Sequence, residues 1–135
     1  MGKRRCTIKL PREEAIKYAV KVLKTLYPED NITIINPVGI MAAINAARME
    51  FRYFRGKCID RKIAALSRLF YELIQLHPLI DGNKRLAALI LAAGLTKNNL
   101  TVKKSILKDL ALKVARGDIG FRGVFECLRR HVRRI

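Results

Sequence analysis

The chain has 135 residues, half of them hydrophobic, which matches one domain with enough apolar side chains for a core. Lys and Arg number 28 against 11 Asp and Glu, a formal net charge of +17. Such a balance draws nucleic acid, ribosomes, anionic surfaces or acidic protein partners, or else it is a solvated basic surface. No apolar run approaches the roughly 18 residues of a transmembrane helix, and MGKRRCTIKLPREE lacks the apolar region of a signal peptide. Gly2 does not by itself make an acylation site, because Cys6 stands where Ser or Thr is required. A soluble, cytoplasmic protein with no membrane partner is expected.

The pattern reads as helix nearly throughout, with no internal repeat, low-complexity segment or linker. After Pro11, the stretch REEAIKYAVKVLKTLY puts Ile16, Ala19, Val20 and Leu23 on one face, with Leu26 or Tyr27 continuing it. Glu13 and Glu14 suit the positive end of this helix, and Pro28 stops it. EDNITIINP is a connector, with an extended stretch at Ile32 to Ile35. A second helix is predicted from about Val38 to Phe54, with Ile40, Ala43, Ile44, Ala47 and Phe51 as its stripe. Its end mixes Phe51, Tyr53 and Phe54 with Arg52 and Arg55, which either finishes the core or stacks on a ligand.

A third helix is expected to begin near Asp60 as its N-cap. Ile59, Ile63, Leu66, Phe70 and Leu73 step along one face, and the next step lands on His77, placing it at the helix end on the core side before Pro78 breaks the run. The fourth helix starts around Gly82 and Asn83; LAALILAAGL is apolar on every side, which predicts the central helix of the domain. A fifth covers about Val102 to Ala115. A sixth carries Phe121, Val124, Phe125, Leu128, Val132 and Ile135 on its buried face and leaves Arg129, Arg130, Arg133 and Arg134 facing out. The fold class is therefore all-α: one compact bundle of about six helices spanning residues 1–135.

Cys6, Cys58 and Cys127 are isolated, odd in number and without C-x-x-C spacing, so neither a disulfide framework nor a zinc site is expected. His77 and His131 are the only histidines, which excludes a histidine-rich metal site.

The chemistry concentrates in HPLIDGNKR, residues 77–85. A loop running into a helix N-terminus offers free N–H groups and a positive dipole end. Gly82 permits close approach to the backbone, Asn83 adds an amide, and Lys84 and Arg85 add two cations: an anion site suited to phosphates. Asp81 inside such a site would repel phosphates unless a divalent cation lies between them, and Mg²⁺ binds through one or two carboxylates plus substrate phosphates. His77, four residues before Asp81, is a candidate general base for a hydroxyl attacking phosphorus. Singly, each residue has a plainer reading: His77 as a helix-end cap, Asp81–Gly82 as a turn, Lys84 and Arg85 as a solvated first turn. Together, docked on an apolar helix, they point to Mg²⁺-assisted transfer of a phosphorus group from a nucleotide to a hydroxyl.

This stretch resembles the signature of the Fic/Doc family, roughly H-x-F-x-[D/E]-x-N-[G/K]-R. Lys84 at the eighth position and the short helical chain resemble the Doc (death-on-curing) branch. NPVGIMAAINAARMEF looks like the helix preceding the target-binding segment of Doc-like proteins, IAALSRLFYELIQLHPLIDGNKRLAALILAAGL like the two central helices, and ARGDIGFRGVFECLRRH like the terminal helix with its preceding turn. The resemblance implies ATP and Mg²⁺ as cofactors, His77 as the base, Asp81 on the metal, Gly82 and Asn83 as the anion hole, and Lys84 and Arg85 on the nucleotide phosphates. Fic proteins mostly transfer AMP, whereas Doc is a kinase of a translation elongation factor, and Lys84 leans towards the latter. Two departures stand out: Leu79 replaces the family's Phe, and the self-inhibitory signature [S/T]-x-x-x-E-[G/N] is absent, TLYPED being the nearest string. Restraint by an antitoxin chain in trans is expected. The competing reading is a basic nucleic-acid- or ribosome-binding helical protein with an inactive motif.

Overall fold

In the computed structural model, which describes residues 5–135, the described residues form six helices and one minimal strand pair. Gly2 lies outside them. Helix α1, Glu13–Leu26, carries Glu13 and Glu14 in its first turn and buries Ile16, Ala19, Val20 and Leu23, the face its spacing predicts. Helix α2, Pro37–Tyr53, has Pro at its start and Asn36 as N-cap. The Asn36 Oδ1 accepts the Gly39 N–H at 3.1 Å while its Nδ2 donates to the Leu76 carbonyl at 3.1 Å, so one amide caps α2 and ties it to the end of the next helix.

Helix α3, Cys58–Gln75, starts earlier than expected: Lys57 is the N-cap and Asp60 lies in the first turn, where its charge still favours the positive helix end. α3 buries nine residues, Ile63 to Ile74, and packs against α2 and the three later helices, whereas helix α4, Asn83–Lys97, buries six and leaves Leu89 37% exposed. The central helix is thus α3. An all-apolar surface does not by itself bury every side of α4, because α1, α3 and α5 leave the Leu89–Ala93 side open. The two helices approach closely at Gly94, where an added Cβ would stand 2.8 Å from Leu66 Cδ2. The Ser67 hydroxyl, fully buried in α3, is satisfied by the Ile63 carbonyl at 2.7 Å.

After α4, β1 (Leu100–Thr101) leads into helix α5, Lys104–Ala115, and helix α6, Phe121–His131, ends in β2 (Arg133–Arg134). β1 and β2 pair antiparallel, Leu100 opposite Arg134 and Thr101 opposite Arg133. This corrects the expected length of the last helix: Val132 is extended and buried, Ile135 is 75% exposed, and its N–H is held by the Asn99 carbonyl rather than by a helix. Arg129 and Arg133 therefore share no helix face, and Arg129 pairs with Asp60 across the α3–α6 contact at 3.4 Å.

The cysteines give the second correction. Cys6 and Cys58 form a disulfide that fastens the N-terminal segment to the start of α3, and only Cys127 is free. The pair is 52 residues apart, so local spacing carries no trace of it. Burial pushes the Cys127 thiol above its ordinary pKa. Among the described residues, no helix is long and apolar enough to cross a membrane.

Candidate functional site

The motif loop hangs between α3 and α4. α3 ends at Gln75, Leu76 closes its last turn, and His77 takes a left-handed backbone conformation, φ 47°, which turns the chain out of the helix ahead of Pro78. His77 is consequently exposed rather than on the core side. Its Nδ1 lies 3.0 Å from the Gln75 carbonyl. A carbonyl only accepts, so Nδ1 donates here, and in the neutral imidazole the lone pair then lies on Nε2, the tautomer a base requires.

Leu79 anchors the loop. It is 1% exposed, and burying a leucine contributes about 1.5–3 kcal/mol, so the smaller side chain still seats the loop in the core. Ile32 shares the work: an added Cβ on Gly82 would find Ile32 Cγ1 at 3.3 Å and Leu79 Cδ1 at 3.8 Å. Gly82 itself has φ 92°, a left-handed conformation that side chains disfavour, and it stands at the N-cap of α4 without a side-chain cap. The Asn83 amide is spent on the loop: Oδ1 accepts the Leu79 N–H and Nδ2 donates to the Leu79 carbonyl, both at 2.9 Å. The Asp81 Oδ1 accepts the Gly82 N–H at 3.0 Å.

The segment before α2 runs along this loop. Ile34 bridges Leu79 in antiparallel fashion, the Pro78 carbonyl accepts from Ile35 N at 2.9 Å and Asn36 N at 3.1 Å, and Ile80 N donates to the Thr33 carbonyl at 2.9 Å. Of the extended stretch read at Ile32 to Ile35, one bridge at Ile34 is present, with Ile35 in a bend, and it lies along Pro78 to Ile80. The turn after α2, where the family resemblance would put a target-binding segment, sits at the other end of α3, roughly 27 Å away for 18 residues of helix. Its aromatics serve the fold: Phe54 packs on Phe125 at 5.3 Å, and Arg61 covers Phe51 at 4.3 Å while donating to its carbonyl. Tyr53 is 64% exposed, with Arg52 over its ring at 5.6 Å.

Asp81, Gly82, Lys84 and Arg85 line one concavity of about 300 Å³, joined by Asp30. Asp30 and Tyr27 are the site residues missed in the sequence. Asp30 forms an ion pair with Arg85, whose guanidinium lies over the Tyr27 ring at 3.8 Å. Both partners are partly exposed, so the pair is worth at most about 1 kcal/mol, and a phosphate presenting more charge would displace the carboxylate. TLYPED contains both residues, and their only trace in the sequence was that likeness to an inhibitory string. His77 is not among the residues lining this concavity.

The arrangement offers an exposed imidazole with a free Nε2, a helix N-terminus with two cations beside it, and two carboxylates at the same hollow. Among the described residues, no cluster of three or more His, Cys, Asp or Glu side chains could hold a metal alone. That composition suits a cation completed by ligand phosphates, as Mg²⁺ commonly is, and Asp81 has its second carboxylate oxygen left for one. No curated protein and no solved structure matches the chain. The model of the Fic/DOC family matches residues 39–95, from the first turn of α2 to the last of α4, so this part of the chain is similar to the Fic/DOC family.

Proposed function

We propose that the protein is a Doc-like enzyme that moves a phosphorus group from ATP to a hydroxyl of a target protein, with transfer of the terminal phosphoryl favoured over AMP and a translation elongation factor as target. One observation carries the reading: Asn83 clamps Leu79 so that the loop delivers the α4 N-terminus, Lys84, Arg85 and Asp81 to one hollow. His77 Nε2 takes the proton of the target hydroxyl. Lys84 and Arg85 neutralise nucleotide phosphates, Arg85 exchanging Asp30 for them; the anion hole expected at Gly82 and Asn83 draws on the Asn83 N–H, with Gly82 leaving room for close approach while its own N–H is held by Asp81. Asp81 would hold Mg²⁺, which would supply charge neutralisation for the nucleotide phosphates.

A partner surface adjoins the site. Tyr18, Leu26 and Leu89 stand exposed between α1, α4 and α5, over two hollows of about 260 and 590 Å³, and the larger reaches Lys84 and Arg85. An acidic amphipathic segment of an antitoxin chain laid along this groove would cover both cations, which is how restraint in trans would reach the site.

The test is transfer of radiolabel from ATP to protein. His77 is exposed, so His77→Ala keeps the fold and lowers transfer by roughly a hundred- to ten-thousand-fold. A folded His77→Ala variant with undiminished transfer removes the proposed base. A salt-dependent nucleic-acid shift without any nucleotide turnover favours instead the reading of a basic binding protein with an inactive motif.

A further inference from the structure

Away from the motif, the β1–β2 pair brings two stretches of like charge together. Arg133 and Arg134 pair with Thr101 and Leu100, and Lys103 and Lys104 follow immediately as α5 begins. Thr101, Lys103, Ser105, His131 and Arg133 line a cleft of about 600 Å³ to which no carboxylate contributes. Local energetics oppose this placement. The positive end of a helix favours anions, yet α5 has no acidic residue in its first turn, no side-chain cap, and lysines at its N-cap and first helical position. The Arg133 guanidinium is held in place by the Arg130 and Val132 carbonyls at 2.9 and 3.0 Å. The His131 Nδ1 donates to the Cys127 carbonyl at 2.8 Å, which fixes that ring too.

We propose that this cleft binds the phosphate backbone of a nucleic acid. Its donors are those that phosphates use: lysine, arginine, small hydroxyls and helix N–H groups. No Phe, Tyr or Trp lines it, so it lacks the aromatic anchor around which a protein interface is built, and its cations and hydroxyls are donors for phosphate oxygens. Binding is therefore largely independent of base sequence. The cleft stands at the far end of α4 from the motif loop, roughly 22 Å along 15 residues of helix, so it works separately from the transfer site and would bring the enzyme to a nucleic-acid-bearing particle.

The test is anisotropy of a labelled duplex of about twenty base pairs, as RNA and as DNA, over a salt series. Lys103→Glu in the cleft, with Lys104→Glu adjoining it on the first turn of α5, should weaken binding at least ten-fold and flatten the logarithmic salt dependence on DNA by roughly two units, about 0.9 for each phosphate that is no longer neutralised. Glutamates suit a helix N-terminus, so the melting temperature of this variant should equal or exceed that of the parent, which separates weaker binding from a damaged fold. Arg12→Glu with Lys21→Glu changes the net charge equally at the exposed N-cap and an exposed position of α1 and serves as control. Ten-fold weakening in the α5 variant alone supports the site. Equal weakening in both variants, absence of binding to either duplex at low salt, or equally good competition by polyglutamate of the same charge would overturn it.

Discussion

Asn83 decides the shape of the motif loop, because its amide makes both available backbone hydrogen bonds with Leu79 and pins the loop four residues behind the helix start. Removing it leaves two partly buried backbone groups without partners, which costs about 1–3 kcal/mol. Asn83→Ala should therefore lower stability by that amount in denaturant titration and weaken ATP binding, since Gly82 and the cations lose their register. An Asn83→Ala variant as stable as the parent would mean that Leu79 alone seats the loop. Asp81 makes the complementary case. Its Oδ1 bond to the Gly82 N–H survives in Asp81→Asn, so the turn persists while the charge goes. Nucleotide binding by Asp81→Asn should lose its dependence on Mg²⁺, measured by titration calorimetry with and without the cation; an unchanged dependence would take Asp81 out of the metal role. That His77 and Asp81 share one loop was legible because they sit within nine consecutive residues, whereas the expected core-side placement of His77 was not met, its left-handed backbone turning it outward. Asp30 was not legible, because it meets Arg85 across 55 residues.

The helices were legible wherever one face is apolar at helical spacing. α1 shows this best: its four buried residues are those the periodicity selects. α4 misled in the other direction, since a helix apolar on all sides reads as central, and only the packing of its neighbours reveals that Leu89 faces outward. The last helix was read too long because Val132 and Ile135 continue the period, while the strand partner that takes the chain away, β1, lies more than thirty positions earlier. Long-range pairings of this kind also hide the Cys6–Cys58 disulfide. That bond closes a loop of 52 residues around α1 and α2, and in the chain-entropy account such a loop stabilises the fold by about 4 kcal/mol. The Cys6→Ser, Cys58→Ser double variant should melt several degrees lower than the oxidised parent and match the parent under reductant. Equal melting of all three would mean that the N-terminal segment contributes no cross-link in solution.

At the scale of the whole molecule, the charge and the site divide between the two ends of α4. The motif end gathers cations with two carboxylates around the hollow proposed to take a nucleotide, and the other end gathers cations with none. A net charge of +17 alone would not distinguish the two, which is why composition pointed equally to a binding protein and to a solvated surface. The fold supplies the distinction by turning the chain at Gly82 and again at Asn99, whose φ of 61° starts the path into β1. Chemistry at the motif end is the central claim. The most direct measurement is to incubate the protein with Mg²⁺ and cell extract, using ATP labelled at the α phosphate in one sample and at the γ phosphate in the other. Label on a protein band from γ-labelled ATP, absent with α-labelled ATP and absent with His77→Ala, is the predicted result. Label from neither, with a folded protein that binds ATP, would contradict it.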